Sequence, residues 1–183
     1  MAGEMGEFSL RPLLGEDKYR IRAWRNSDRV RVHMFNPTPV SDADHDQWFT
    51  RVFSDDPNRY RILLSGSQPL GFVSFSPVVD AAATWAWGLY VGEPDAPRGS
   101  GSALGRLALD HAFVDLGADA VVSEAMISNE RALALYSRLG FVRTGTRQVT
   151  RLREYGPEDV AIFTISRAAW GSPQATTDEY ASP

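Results

Sequence analysis

Residues 98–103, Arg98-Gly99-Ser100-Gly101-Ser102-Ala103, constrain this chain more than any other stretch, because they set a glycine-spaced turn between a strand-like run and a helix-like run. Before the turn, Thr84 to Val91 alternates with period two: Trp85, Trp87, Leu89 and Val91 fall on one face, and Ala86, Gly88 and Tyr90 on the other. After it, Leu104, Leu107, Ala108 and Ala112 mark one face of a helix, Leu109, Phe113 and Leu116 mark an adjoining one, and the helix should end near Gly117. A glycine-rich turn from strand to helix presents unpaired backbone N–H groups at the positive end of a helix dipole, and Arg98 adds a charge beside them. That combination favours a pyrophosphate, while Gly and Ser also build ordinary strand-to-helix turns. The turn is not a Walker loop, since no Gly-Lys-Ser/Thr follows. It is a poor dinucleotide fingerprint too, because the third glycine is missing and the strands before it look antiparallel.

The rest of the chain organises around that turn. Phe8 to Pro12 reads as a short first strand ended by proline. Glu16 to His33 reads as two helices in tandem with a break near Asn26-Ser27, and Arg22, Arg25 and Arg29 share one face. That face is either solvated surface or a clamp for an anionic substrate. Met34 and Phe35 are large apolar residues on a loop, because Pro37 and Pro39 forbid regular pairing, and they need cover. Ser41-x-x-Asp44 starts a further helix whose His45, Trp48, Phe49, Val52 and Phe53 form an apolar stripe. The stripe is a core face, and its end near the Met34-Phe35 loop is placed to line a pocket. Arg59 to Ser65, Leu70 to Pro77 and Thr84 to Val91 form an antiparallel meander. Ala120 to Met126 is a strand leading into a helix from Asn129 to Leu139, and Phe141 to Arg153 with Val160 to Ser166 closes the domain as a hairpin around Tyr155-Gly156-Pro157.

Composition narrows the function. The chain has 183 residues, 43% of them hydrophobic, enough for one core and one domain. A net charge of −4 and a pI near 5.4 speak against a nucleic-acid binder. With no cysteine, thiolate ligands, disulfides and cysteine nucleophiles are excluded. His33, His45 and His111 lack ligand-like partners at i+3 or i+4, so no metal is expected. Lys18 is the only lysine, which leaves little scope for Schiff-base chemistry. No signal run or membrane-length apolar window is present, so the expected location is cytoplasmic, with no membrane partner.

A second stretch gives the turn its meaning: Asn129, Ala132, Tyr136, Gly140 and Phe141 in the spacing Asn-x-x-Ala-x-x-x-Tyr-x-x-x-Gly-Phe. Together with Arg98, Gly101 and Ala103 in the spacing Arg/Gln-x-x-Gly-x-Gly/Ala, it resembles the GNAT superfamily of acetyl-CoA-dependent N-acetyltransferases. The resemblance runs from about Phe8 to Ile165. It implies an α/β (α+β) GNAT fold, a mixed central sheet of about seven strands flanked by about four helices, over residues 7–168. Residues 1–6 are then a flexible tail, and 169–183 a disordered one. It implies acetyl-CoA as co-substrate, held by Arg98, Gly99, Ser100, Gly101, Ser102 and Ala103 at the pyrophosphate, with Asn129, Ala132 and Tyr136 from the second motif. Backbone groups of Leu89, Tyr90 and Val91 would pair with the pantetheine arm where the strand ending at Val91 parts from the strand starting at Ala120. The partner is a small-molecule amine, and the protein a monomer or homodimer.

Within that superfamily, Trp24-Arg25-Asn26, Met34-Phe35-Asn36, His45-x-x-Trp48-Phe49, Trp87-Gly88-Leu89-Tyr90 and Glu124 resemble the amino-sugar N-acetyltransferases of the pseudaminic acid pathway, which acetylate a UDP-linked 4-amino sugar. Ribosomal-protein alanine N-acetyltransferases share much of the same opening, and the longer final hairpin from Arg147 to Asp159 departs from the pattern. The expected acceptor is an amino sugar, nucleotide-linked or part of an antibiotic; a protein N-terminus or another small amine is the alternative, and a domain that binds acyl-CoA without turnover is the third reading. Arg25, Met34, Phe35, Trp48, Phe49, Tyr90 and Glu124 are the candidate acceptor contacts.

Aminolysis of a thioester needs a neutral amine and a proton for the departing thiolate. Tyr136 is the candidate acid, since a phenol of pKa about 10 matches the basicity of a thiolate of about 8.5; it reads equally well as a core tyrosine. Asn129 either caps its helix or also holds a pantetheine amide. Glu124 shares a strand face with Val122 and Met126, where an unsolvated carboxylate costs several kcal/mol. It is either a cleft residue that takes the amine proton or the partner of an arginine.

Overall fold

A computed structural model of the chain describes residues 7–150 and 156–171. Its seven strands are β1 (Phe8–Pro12), β2 (Tyr60–Ser65), β3 (Gln68–Pro77), β4 (Thr84–Val91), β5 (Ala120–Met126), β6 (Val142–Thr150) and β7 (Pro157–Ser166). They form one sheet in the order β1-β2-β3-β4-β5-β7-β6, antiparallel except between β4 and β5. Four main helices, α1 (Asp17–Asn26), α3 (Asp42–Phe53), α4 (Ser100–Val114) and α5 (Glu130–Arg138), flank it, and α2 (Asp28–Arg31) and α6 (Arg167–Gly171) are short. This is the mixed α/β GNAT architecture the sequence implied.

Alternation along the strands sorts the core into two layers. Ile62 and Phe72 point to one face, where they bury Ile21 and Trp24 of α1 and Phe49 and Val52 of α3. Leu63, Val73 and Phe75 point to the other, against Leu104, Ala108, Leu109 and Ala112 of α4 and Leu135 and Tyr136 of α5. Each fully buried Leu or Phe contributes about 1.5–3 kcal/mol. Phe49 is therefore a core residue and not the acceptor contact expected of it. Trp48, one position along, is only half-buried and reaches the cleft.

Local chemistry sets the helix ends. Ser41 caps α3 by accepting a hydrogen bond from the Asp44 N–H at 3.1 Å, and Asn129 caps α5 by accepting from the Ala132 N–H at 3.2 Å. The break at Ser27, in an extended conformation, separates α1 from α2 as the sequence suggested. Asp17, with no exposed surface, ties the start of α1 to β1 through Arg11 at 2.6 and 2.8 Å and accepts from the Leu14 N–H at 2.9 Å. Burial alone would raise its carboxyl pKa, but these bonds and the charges of Arg11 and Arg20 outweigh it and hold the group below the usual range.

Two boundaries differ from expectation. α6 carries the folded chain past residue 168, and Trp170 donates to Asp110 Oδ1 at 2.9 Å, so 169–171 belong to the domain. β7 begins at Pro157, earlier than expected. Residues 1–6, 151–155 and 172–183, and with them both tails beyond the domain and most of the hairpin turn, lie outside the described residues. No helix of the described residues is long and apolar enough to cross a membrane.

Candidate active site

β4 and β5 pair at only three positions, Thr84 with Ala120, Trp85 with Val121 and Ala86 with Val122. β4 continues to Val91 along β3, while β5 continues to Met126 along β7, so the two strands part beyond Ala86. The gap is the floor of a cleft of about 1320 Å³ that runs from the first turn of α4 to the α1–α3 side of the sheet. Leu89, Tyr90 and Val91 line it, as do Gly99, Ser100, Gly101, Asn129, Ala132 and Tyr136.

At one end, Gly99 takes a left-handed conformation, φ 93°, that turns the chain into α4. The Ser100 N–H and hydroxyl both bond back to the Pro97 carbonyl, at 3.2 and 2.7 Å, and the Ala103 N–H bonds to the Gly99 carbonyl at 2.9 Å. The Gly101 and Ser102 amides are left without partners among the described residues, at the positive end of a 15-residue helix. A Cβ on Gly101 would meet nothing within 4 Å, so the turn is open in front of them. Arg98, Ser102 and Ala103 belong to the turn but not to the cleft wall, and Arg98 is exposed. Arg131 and Arg138 of α5, which the sequence pattern did not single out, line the cleft. Free amides at the head of a helix and an open turn fit a pyrophosphate.

Midway along the cleft, the Tyr136 ring is buried among Trp87, Phe141 and Phe163 at centroid distances of 6.3, 5.3 and 5.2 Å. Burial raises the pKa of its phenol, which therefore keeps its proton at neutral pH; Ser123 and Trp87 beside it offset part of the rise. Ser123 Oγ and Trp87 Nε1 are themselves buried without a hydrogen-bond partner. The period-two pattern placed Trp87 on a strand face but gave neither it nor Ser123 a role beside the phenol, because that depends on where Tyr136 lands.

At the other end stand Arg25, Met34, Phe35, His45, Trp48 and Tyr90. The Arg25 guanidinium donates to the Asn36 carbonyl, while its Nη1 is buried with no partner. Burial lowers its pKa; the nearby Tyr90 opposes this and Arg31 adds to it. Burial also pushes the Tyr90 phenol upward, against the pull of Arg25. His45 has 3% exposure and an unpartnered Nε2, and burial together with Arg22 lowers its pKa, so the ring is neutral at pH 7. Glu124 lines the cleft and is also paired: Arg147 of β6 donates to both of its oxygens, at 2.9 and 2.6 Å. Arg147 in turn lies over the Phe35 ring at 5.4 Å, joining the 34–37 loop to β6 across the mouth. Glu124 is thus at once a cleft residue and the partner of an arginine. No group of three or more His, Asp or Glu side chains among the described residues is placed to hold a metal ion.

Comparison with known proteins agrees with this geometry. The chain is similar in structure to spermidine N-acetyltransferase from Vibrio cholerae in complex with CoA and spermine: TM-score 0.78, 18% identity, 89% of this chain and 97% of that one. It is similar to aminoglycoside acetyltransferase AAC(6')-Ib in complex with coenzyme A and kanamycin, with TM-score 0.71, 18% identity, and 90% and 97% coverage. A GNAT-family acetyltransferase from Bacillus anthracis gives TM-score 0.74 at 11% identity, covering 89% and 96%. These likenesses establish the fold. No curated protein matches the sequence significantly. The model of the acetyltransferase (GNAT) domain matches residues 7–142, most of the chain and both motifs, and on that match the chain belongs to the GNAT acetyltransferases.

Proposed function

We propose that the protein transfers the acetyl group of acetyl-CoA to a primary amine of a small molecule, and that the acceptor is an amino sugar, nucleotide-linked or part of an antibiotic. The observation that carries the reading is the buried Tyr136 phenol on the cleft wall where β4 and β5 part. When bound, acetyl-CoA supplies the acetyl thioester. The Gly101 and Ser102 amides would hold its pyrophosphate, and the free edge of β4 from Gly88 to Val91 its pantetheine arm. Tyr136 holds at its phenolic oxygen the proton that the departing sulfur needs. The acceptor nitrogen must lose one proton as it gains the acetyl carbon. Glu124 is the one carboxylate on the cleft wall among the described residues, and each of its oxygens keeps a lone pair beyond the Arg147 bond, so it is the group to receive that proton directly or through water. Similarity to enzymes whose structures hold spermine and kanamycin supports a small amine over a protein end.

The test is thiol release from acetyl-CoA with UDP-amino sugars, aminoglycosides and alanine-ended peptides. Turnover of a sugar amine above the others is expected. Preference for the peptides would move the acceptor to a protein terminus, and thiol release no faster than hydrolysis with every amine would leave an acyl-CoA binder.

A further inference from the structure

The arginines of the α1–α2 segment divide into two groups. Arg20, Arg22 and Arg31 each face a carboxylate, namely Asp17, Asp42 and Asp28. Arg25 and Arg29, which line the cleft, bond among the described residues only to the carbonyl oxygens of Asn36 and Glu93. A carbonyl accepts a hydrogen bond but does not neutralise a charge. Arg25 has the sharper deficit, because its Nη1 is shielded from water and still unpartnered. A buried donor on a charged group costs more than most side chains do when left unmade, and the deficit is removed by an anion.

The rest of the wall has the same sign. Among the described residues, Arg25, Arg29, Arg131 and Arg138 line the cleft against a single carboxylate, Glu124, and Arg147 already pairs with that one. Spermine and kanamycin carry several amines and no acid group, so they call for carboxylates that this wall does not offer. Beside Arg25 is the uncharged Tyr90 phenol, and the unpartnered Nε2 of neutral His45 lies elsewhere on the same cleft wall; both are suited to hydroxyl or oxyanion oxygens.

We propose that the acceptor end of the cleft is an anion site centred on Arg25 with Arg29 beside it, and that the acceptor is a primary amine which also carries a phosphate or carboxylate group. The acceptor docks by that group, and its amine then lies toward Tyr136. The choice of acceptor rests on the acetyltransferase reading, whereas the anion site is a property of the cleft whether or not transfer occurs. Among amino sugars it selects phosphorylated or nucleotide-linked ones over polycationic antibiotics.

The experiment compares matched amines: glucosamine 6-phosphate with glucosamine for the phosphate arm, serine with serinamide for the carboxylate arm, and kanamycin and spermine as polycations. Thiol release should give a kcat/KM at least tenfold higher for one anionic member than for its uncharged counterpart, with the difference in KM. Arg25→Gln should shrink that ratio to within about twofold, and Arg25→Lys should restore part of it. Unchanged coenzyme A affinity shows that the variants are folded. A ratio that survives Arg25→Gln, or a higher kcat/KM for kanamycin or spermine than for every anionic amine, overturns the proposal. In parallel, the protein saturated with coenzyme A, so that the turn at Gly101 is filled, is titrated with inorganic pyrophosphate by calorimetry. If no amine is acetylated, the transfer reading fails, and the anion site stands if Arg25→Gln weakens pyrophosphate binding at least tenfold. It falls if binding is absent or indifferent to Arg25.

Discussion

The two ends of the cleft are built by opposite means. The coenzyme end is backbone: one glycine with positive φ, two free amides at the head of a long helix, and a strand edge without a neighbour. The acceptor end is side chains carried on α1, α2 and α3, on an irregular loop between them, and on β4 at Tyr90. That loop is stitched in place by Asn26, which donates to the Val40 carbonyl at 2.9 Å and accepts from the Val40 N–H at 2.8 Å, and by Arg31, which donates to the Pro37 carbonyl at 3.3 Å. Backbone recognition suits a ligand that never changes. Side-chain recognition can be rewritten one residue at a time without disturbing the other end.

That contrast breaks first, and hardest, at Asp17. Asp17→Asn strands Arg11 beside a neutral amide and should cost about 3 kcal/mol in urea unfolding. Because the carboxyl titrates lower in the folded state than its unfolded value of about 3.9, its contribution is full above that pH and is lost as pH falls through the folded value, so the variant should also show a flatter acid limb. In protein that is still folded, the acceptor KM should rise while coenzyme affinity stays within twofold. An equal loss at both ends would show that they are one unit.

Tyr136→Phe should leave coenzyme affinity intact and lower kcat by about 10²-fold, the scale of a general acid. A rate within twofold of the original would make Tyr136 a packing residue. Gly101→Glu sets a carboxylate against the pyrophosphate and should weaken coenzyme binding by ~2 kcal/mol while sparing the fold, since the position is open. Calorimetry showing unchanged affinity would remove the turn from the binding site. The smallest effect is expected at Glu124. An amine with a pKa near 8 is neutral in roughly 10% of molecules at pH 7, so Glu124→Gln should cost at most about tenfold there and recover as pH rises past the amine's pKa. Depression by the same factor at every pH would assign Glu124 to the Arg147 pair alone.

The coenzyme end was legible in the sequence because backbone geometry is written locally. Gly99 to Ser102, the Asn129 cap and the break at Ser27 all follow from residues within one turn of chain. The acceptor end was legible only in outline. Arg22, Arg25 and Arg29 share a helical face in sequence, yet Arg22 faces Asp42 of α3 while Arg25 and Arg29 face the cleft, and the choice depends on how α3 docks. Phe49 and Trp48 are adjacent on one stripe, and the 100° between them decides which is core. The Glu124–Arg147 pair spans a hairpin register that no local pattern specifies.

The early parting of β4 and β5 has a consequence for solubility. Unpaired strand edges invite other chains to add a strand, and this sheet has such edges at three places. β1 is blunted by its five-residue length and by Pro12, and β6 by the charged side chains of Arg143 and Arg147. The third edge, along β4 from Gly88 to Val91, is turned inward and faces β5 across the cleft instead of facing bulk water. Hydrogen-bonding capacity that would be an aggregation hazard on the rim therefore lies along a cleft wall, where the facing strand narrows the approach of a strand from another protein.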